Sequence, residues 1–144
     1  MLESNPLLEA FGNAKTLRND NSSRFGKWMK VGFGGGGAIV GCDIINYLLE
    51  KSRVVFQDAG ERNYHVFYQL LVGATPAERE EMRLGAGPKN FFILSHYTSC
   101  TTIPGKGDEE EYAEMMLAFE HLGFTAEQQR MIKHVVAAVL HLGN

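Results

Sequence analysis

The apolar positions of this chain fall into two regimes, with a polar stretch ahead of both. Ser4-Asn5-Pro6 opens a short apolar helix, with Asn5 as its cap and Pro6 at its first position, where a missing N–H costs nothing. Leu7, Leu8, Ala10 and Phe11 form its body, and Gly12 is placed to stop it. Asn13 to Arg24 has few apolar residues and no period, so it reads as loop. Phe25 to Phe33 alternates as a strand does, and Gly34-Gly35-Gly36-Gly37 must turn. Ala38 to Leu49 returns as a second strand, too continuously apolar for a solvent-facing sheet, so part of it is expected to be buried on both faces. The predicted hairpin spans residues 25–49.

Beyond the hairpin the period becomes helical. Glu50-Lys51-Ser52-Arg53 is a charged break, either a solvated corner or a linker to the helices. Asn63 to Val72 places Tyr64, Phe67, Tyr68 and Leu71 at helical spacing, which predicts an amphipathic helix. Thr75-Pro76-Ala77-Glu78 is a capping box for a short helix through Leu84. Residues 85–105 look irregular, although Phe91-Phe92-Ile93-Leu94 must pack against something. Asp108 to Leu122 is an amphipathic helix with acids at the positive end of its dipole, and Gly123 ends it. Thr125 to Gln128 caps a last helix running to about Leu142. Its expected buried face is Met131, Ile132, Val135, Val136, Val139 and Leu140. The fold class is therefore α+β: an antiparallel hairpin followed mainly by α-helices.

Composition narrows the function. The chain has 144 residues, a formal net charge of −3 and 44% hydrophobic residues, so it is one domain or less with an ordinary core. The negative balance speaks against a nucleic-acid partner, which calls for a basic stripe. Cys42 and Cys100 lack metal-ligand spacing and read as reduced thiols of a cytosolic protein. No signal peptide follows Met1, and no apolar run reaches the roughly 18 residues of a membrane span.

Several chemical candidates fall away. The four glycines are not followed by Lys-Ser or Lys-Thr, nor by a helix start, so they are a turn and not a phosphate loop. His65 has no histidine at i+4, which excludes a zinc-protease pair and leaves a core or surface histidine. Cys100 sits among hydroxyls without a visible base, which disfavours a nucleophile. What remains is Asn19-Asp20-Asn21-Ser22-Ser23-Arg24-Phe25-Gly26-Lys27. Ser23 offers the hydroxyl that a hard cation accepts, Ser22 can orient a water, Asn19 can donate to phosphate, and Arg24 carries a permanent planar charge.

That stretch resembles switch I of the myosin motor domain. Asn5-Pro6-Leu7-Leu8-Glu9-Ala10-Phe11-Gly12-Asn13-Ala14-Lys15-Thr16 precedes it in the family's manner. Tyr47-Leu48-Leu49-Glu50-Lys51-Ser52-Arg53-Val54 and Gly60-Glu61-Arg62-Asn63-Tyr64-His65-Val66-Phe67-Tyr68-Gln69-Leu70-Leu71 follow, and Leu140-His141-Leu142-Gly143-Asn144 closes the chain. The likeness covers nearly all 144 residues, and the Asn-Asp-Asn form leans toward class I myosins.

The resemblance implies a partial motor domain over 1–144, with a switch I loop at 13–27 and a helical upper actin-side subdomain at 60–144, inside the α/β P-loop NTPase head. It implies ATP and Mg2+ as ligands of the intact motor, with Ser22 and Arg24 catalytic. Asn19, Ser22 and Ser23 would bind nucleotide, Ser23 would also bind metal, and Asn13 and Lys15 would lie close by. Arg24 would pair with a glutamate of the second switch, Asn21 and Lys27 would hold the loop's shape, and Asp20 would point away. The implied partners are the actin filament and the rest of the motor, in the cytoplasm on the cytoskeleton. Neither G-x-x-x-x-G-K-[ST] nor Asp-x-x-Gly-Phe-Glu occurs in the chain, so it reads as an internal segment, inactive by itself. A truncated gene product, a non-catalytic myosin-derived interaction module and a small α+β binding domain are the rival readings.

Overall fold

The computed structural model describes residues 2–105 and 107–144; the expectation attached to the Met1 start lies outside the described residues. A 3-10 turn over Leu2–Ser4 runs directly into α1 (Asn5–Gly12). Asn5 is thus the first helical residue and not the cap, a shift of one position that still leaves Pro6 within the first turn.

The loop expected over 13–24 is more ordered than its composition suggests. β1 (Asn13–Ala14) and β2 (Ser22–Ser23) pair antiparallel, Asn13 opposite Ser23 and Ala14 opposite Ser22. The hairpin proper follows as β3 (Gly26–Phe33) and β4 (Ile39–Tyr47), in register from Gly26↔Tyr47 to Phe33↔Ile39. Its turn is closed by Gly34 N–H to Ala38 O and Gly37 N–H to Gly34 O, both 2.9 Å. Gly37 supplies the positive φ (77°) that this closure requires. The expected two-sided burial of the second strand does not hold. Val40 is 71% exposed and Ile45 52%, and Trp28 on β3 is 59% exposed. Among the described residues the sheet is two-stranded, so there β4 pairs with β3 alone. The apolar composition of these strands thus exceeds what the described residues cover.

The core lies among the helices. α2 (His65–Gly73) is buried from His65 through Leu71, so it is enclosed nearly all round and not amphipathic as its spacing suggested. α1, α5 (Asp108–His121) and α6 (Ala126–Leu142) enclose it. Asn63 lies outside the helix, fully buried, with its amide donating to Val54 O at 2.9 Å and Ile93 O at 3.2 Å. α3 (Pro76–Glu81) carries the predicted capping box, but it ends before Leu84, because Arg83 and Gly85 take positive φ. Within 85–105 a 3-10 turn (Pro88–Asn90) leads to α4 (Phe92–Ser95), and Phe91, Ile93 and Leu94 are buried as expected, whereas Phe92 is 44% exposed.

α5 buries Tyr112, Met115, Ala118 and Phe119, one clean helical stripe, and Gly123 (φ 78°) follows its end. On α6 the buried residues are Val136, Ala137 and Leu140, with Ile132 and Val139 partly covered. Met131 and Val135 face solvent, at 62% and 64% exposure, against expectation. Six apolar positions were more than one stripe admits, and the small Ala137 that packs gave no hydrophobic signal. Among the described residues no helix is long and apolar enough to cross a membrane.

Candidate functional site

The polar loop between α1 and β3 is held by its own hydroxyls and amides. Thr16 N–H and Thr16 Oγ1 both donate to Asn19 O, at 2.8 and 3.1 Å, and Asn19 N–H returns a bond to Thr16 Oγ1 at 3.1 Å. Asn21 N–H donates to Asn19 Oδ1 at 2.8 Å, a local side-chain bond that stands in for a backbone turn. Arg24 N–H donates to Gly12 O at 2.8 Å and closes the small ladder. The loop is tied to the helical core where Arg62 N–H donates to Lys15 O (3.0 Å) and where Ala14 bridges Tyr64.

The candidate residues do not converge as one cluster. Ser22 Oγ accepts from Arg24 Nη1 at 3.2 Å, so these two meet. Ser23 is exposed, and its hydroxyl donates to Phe25 O at 3.2 Å. Asn19 is exposed, with its side-chain Oδ1 turned back to accept from Asn21 N–H. Asn13 is buried, and its amide donates to Asn21 Oδ1 at 3.1 Å. Lys15 pairs with Asp20 at 2.7 Å. That hydrogen bond raises the Lys15 ammonium above its ordinary value despite partial desolvation.

Arg24 is the hinge between loop and core. Its Nε donates to Glu50 Oε2 at 2.7 Å, and the same oxygen accepts from Arg53 Nε at 2.8 Å. Arg53 also donates through Nη1 to Glu61 Oε2 (2.9 Å) and Arg62 O (3.1 Å). Arg53 is only 5% exposed, so the solvated-corner reading of residues 50–53 fails for it. A 3-10 turn over Lys51–Val54 directs it inward, while Lys51 and Ser52 stay outside. Burial pushes the Glu50 carboxyl up, but the two guanidinium partners outweigh it and hold the group below the usual carboxylate value.

Behind this lies a second ion pair. Arg62 is fully buried and meets both oxygens of Asp108, at 3.0 and 2.8 Å, with its guanidinium 3.8 Å above the Tyr68 ring. Burial pushes the Tyr68 phenol up to about 12. Sequence reasoning assigned no role to Glu9, Glu50, Arg53 or Arg62. The only available signal was that charged residues recur inside otherwise apolar blocks.

Among the described residues no three or more His, Cys, Asp and Glu side chains gather as a metal cage. Magnesium on a nucleotide keeps several waters and takes few protein ligands beside the phosphates. One exposed hydroxyl at Ser23 fits that pattern, whereas an all-protein metal site does not fit this loop.

A family model for the myosin head (motor domain) matches residues 1–144. Myosin heavy chain IB of Acanthamoeba castellanii is 57% identical over 141 residues, which is 98% of this chain and 12% of that protein. Myosin IB heavy chain of Dictyostelium discoideum is 54% identical over 144 residues, 100% of this chain and 13% of that protein. Unconventional myosin IC of Drosophila melanogaster is 51% identical over 144 residues, 100% of this chain and 14% of that protein. The chain thus spans only 12–14% of the length of these relatives, and the similarity is class I-like, in agreement with its Asn19-Asp20-Asn21 loop. This chain belongs to the myosin head (motor domain) family.

Proposed function

We propose that residues 13–27 act as the switch I loop of an ATP-driven, actin-based motor head, with 25–49 as hairpin strands of its larger sheet and 60–144 as helices of its upper actin-side subdomain. The observation that carries this is the division of labour inside the loop. Thr16, Asn19 Oδ1, Asn21 and the β1–β2 ladder fix its course, while Asn19 and Ser23 themselves are exposed, with the Ser23 hydroxyl donating to Phe25 O. Asn19 would donate to a phosphate oxygen, and Ser23, whose hydroxyl proton goes to Phe25 O, would offer an oxygen lone pair to magnesium. Ser22, set by Arg24, orients the attacking water. Magnesium, when bound, neutralises charge on the outer phosphates. Arg24 stabilises the closed loop through a carboxylate. Asn13 and Lys15 act from behind, on Asn21 and Asp20. The partners are the remainder of the head and the actin filament, and the setting is the cytoplasmic cytoskeleton.

The 144 residues hold no lysine-bearing phosphate loop, which supplies most phosphate affinity in this mechanism class, so turnover requires the rest of a head. Two proteins test this: the 144-residue chain, and the Dictyostelium discoideum myosin IB head carrying these residues in place of its own. The chain should neither bind MgATP in the micromolar range by calorimetry nor release phosphate. The chimeric head should hydrolyse ATP with actin activation and lose turnover on Ser23→Ala. Micromolar binding by the isolated chain, or a chimeric head indifferent to Ser23→Ala, overturns the proposal.

A further inference from the structure

Between Asn19 and Ser22 stands a residue whose side chain does not face the solvent edge of the loop. The Asn21 carboxamide is bound at both ends, by three separate elements. Its Oδ1 accepts from Asn13 Nδ2 at 3.1 Å, on β1, and His65 Nε2 lies 3.1 Å from the same oxygen, at the first residue of α2. Its Nδ2 donates to Glu9 Oε2 at 2.8 Å, on α1. The orientation of the amide is fixed by its partners: a carboxylate can only accept, so nitrogen faces Glu9, and oxygen faces the donors. His65 must then carry a proton on Nε2. The bond to Glu9 is charge-assisted and stronger than a neutral one. His65 is 3% exposed and Asn13 7%, so neither has bulk water as an easy substitute partner.

Asn21 is also bonded through its backbone to Asn19 Oδ1, and Ser22 and Ser23 follow it directly. Backbone and side chain of Asn21 together thus connect Asn19 and the chain leading to Ser22 with α1, β1 and α2. A buried histidine with a satisfied nitrogen is usually core packing. Here the satisfied nitrogen leaves the helix bundle and meets the one loop amide that α1 and β1 also hold.

We propose that Glu9 and His65 are positioning residues for the loop, acting through Asn21 as a lock that sets where Asn19, Ser22 and Ser23 stand. The inference rests on the switch I reading above for its functional part, and on geometry alone for the lock.

An isosteric reversal tests it. Asn21→Asp keeps the acceptor toward Asn13 and His65 but puts a carboxylate against Glu9. Glu9→Gln alone still accepts from Asn21. The double variant Asn21→Asp with Glu9→Gln restores the bond with donor and acceptor exchanged. Backbone hydrogen exchange over residues 16–23 and the melting temperature are read on the 144-residue chain. Single-turnover hydrolysis is read on the chimeric myosin IB head.

Asn21→Asp should speed exchange over 16–23 and slow hydrolysis, each by about tenfold or more, as losing a charge-assisted hydrogen bond implies. Glu9→Gln should change both by less than about threefold, and the double variant should recover to within that margin. His65→Gln keeps a donor near the Nε2 position and should stay close to the parent, while His65→Leu should loosen the loop. Should His65→Leu fail to fold, the Asn21 and Glu9 cycle decides. Unchanged exchange in Asn21→Asp, or a double variant no better than Asn21→Asp, overturns the lock. A loosened loop with unaltered hydrolysis overturns the positioning role. Failure of the switch I reading itself shows separately, as Ser23→Ala leaving turnover of the otherwise unaltered chimeric head unchanged.

Discussion

Replacing Arg24 with alanine takes one of two guanidinium groups from Glu50 Oε2 and leaves Arg53 in place at 2.8 Å. Glu50 therefore keeps a charged partner and does not become an orphaned carboxylate. The side chains of Arg24 and Glu50 are 29% and 33% exposed, so the pair works in a partly solvated setting. Such pairs contribute about 0.2–1 kcal/mol, and the loss should lower the melting temperature of a chain this size by no more than about 3–5 °C. The functional loss is expected to be larger. If Arg24 closes the loop through a carboxylate, removing it leaves the reacting groups misplaced and should slow turnover about 10²-fold, or roughly 3 kcal/mol. The interaction forms with closure, so ATP affinity should change little while single-turnover hydrolysis collapses. Calorimetry on the 144-residue chain reads the first quantity; nucleotide binding and single-turnover phosphate release on the chimeric head read the second. A melting temperature lowered by more than about 10 °C would make Arg24 a structural residue. Equal losses of affinity and turnover, or unaltered single-turnover hydrolysis, would refute the assigned role outright.

Asp108→Asn should cost about 3–5 kcal/mol in urea unfolding, because it leaves the fully buried Arg62 cation without its carboxylate, whereas Arg62→Met with Asp108→Leu should be much milder. Comparable losses in the two variants would show that the pair stabilises by more than mutual compensation. Stability should also fall at both pH extremes. Burial pushes Glu50 and Glu78 up, but Arg24 with Arg53, and Lys133, hold them below their ordinary 4.5, so their contribution is complete above that value and lost as pH falls through the lower folded value. Tyr68, raised from 10.0 to about 12 by burial, contributes fully below 10 and loses its share as pH climbs toward 12. Urea midpoints across pH check both, and a midpoint flat from pH 3 to 11 would contradict them. Gly73→Ala should destabilise by about 1–3 kcal/mol, since the new Cβ would lie 2.1 Å from Tyr112 Cδ1, while Gly36→Ala meets nothing within 4 Å and should be near neutral in the same assay.

What the sequence made legible was local chemistry. The glycine run and the flanking alternation located β3, the turn and β4, and Thr75 and Thr125 announced two capping boxes that form as read. The misread features depend on distant partners. The burial of α2 on all sides needs α1, α5 and α6 around it, and the choice of Val136 and Ala137 over Met131 and Val135 is made by what α6 packs against. The same holds at the site. The polar stretch from Asn19 to Lys27 stood out by its residue types, and its likeness to switch I by resemblance, but its bonding was not visible. Asn21 meets Glu9 across 12 positions, Arg24 meets Glu50 across 26, and Asn21 meets His65 across 44. No periodicity encodes such pairs. The buried Arg53 looked like any charged corner because its acceptors, Glu61 and Arg62 O, lie beyond the turn that aims it inward.

The arrangement of the two arginines bears on how the loop can work. Arg53 is buried and holds Glu50, Glu61 and Arg62 O together, so moving it would strand several groups at once. Arg24 shares one oxygen of Glu50 with it, from a partly exposed position. Arg24 can therefore leave Glu50 for the cost of a surface ion pair, about 1 kcal/mol at most, while Arg53 keeps the carboxylate satisfied. Under the proposed role Arg24 must exchange Glu50 for a carboxylate outside these residues when the site closes. A lone Arg24–Glu50 pair buried in the core would resist that exchange by the full penalty of an unpaired buried charge. The second guanidinium at Glu50 removes that penalty. Under the proposed role the two arginines divide the work: Arg53 anchors the corner of the fold, and the partly exposed Arg24 is the one that exchanges its carboxylate when the site closes.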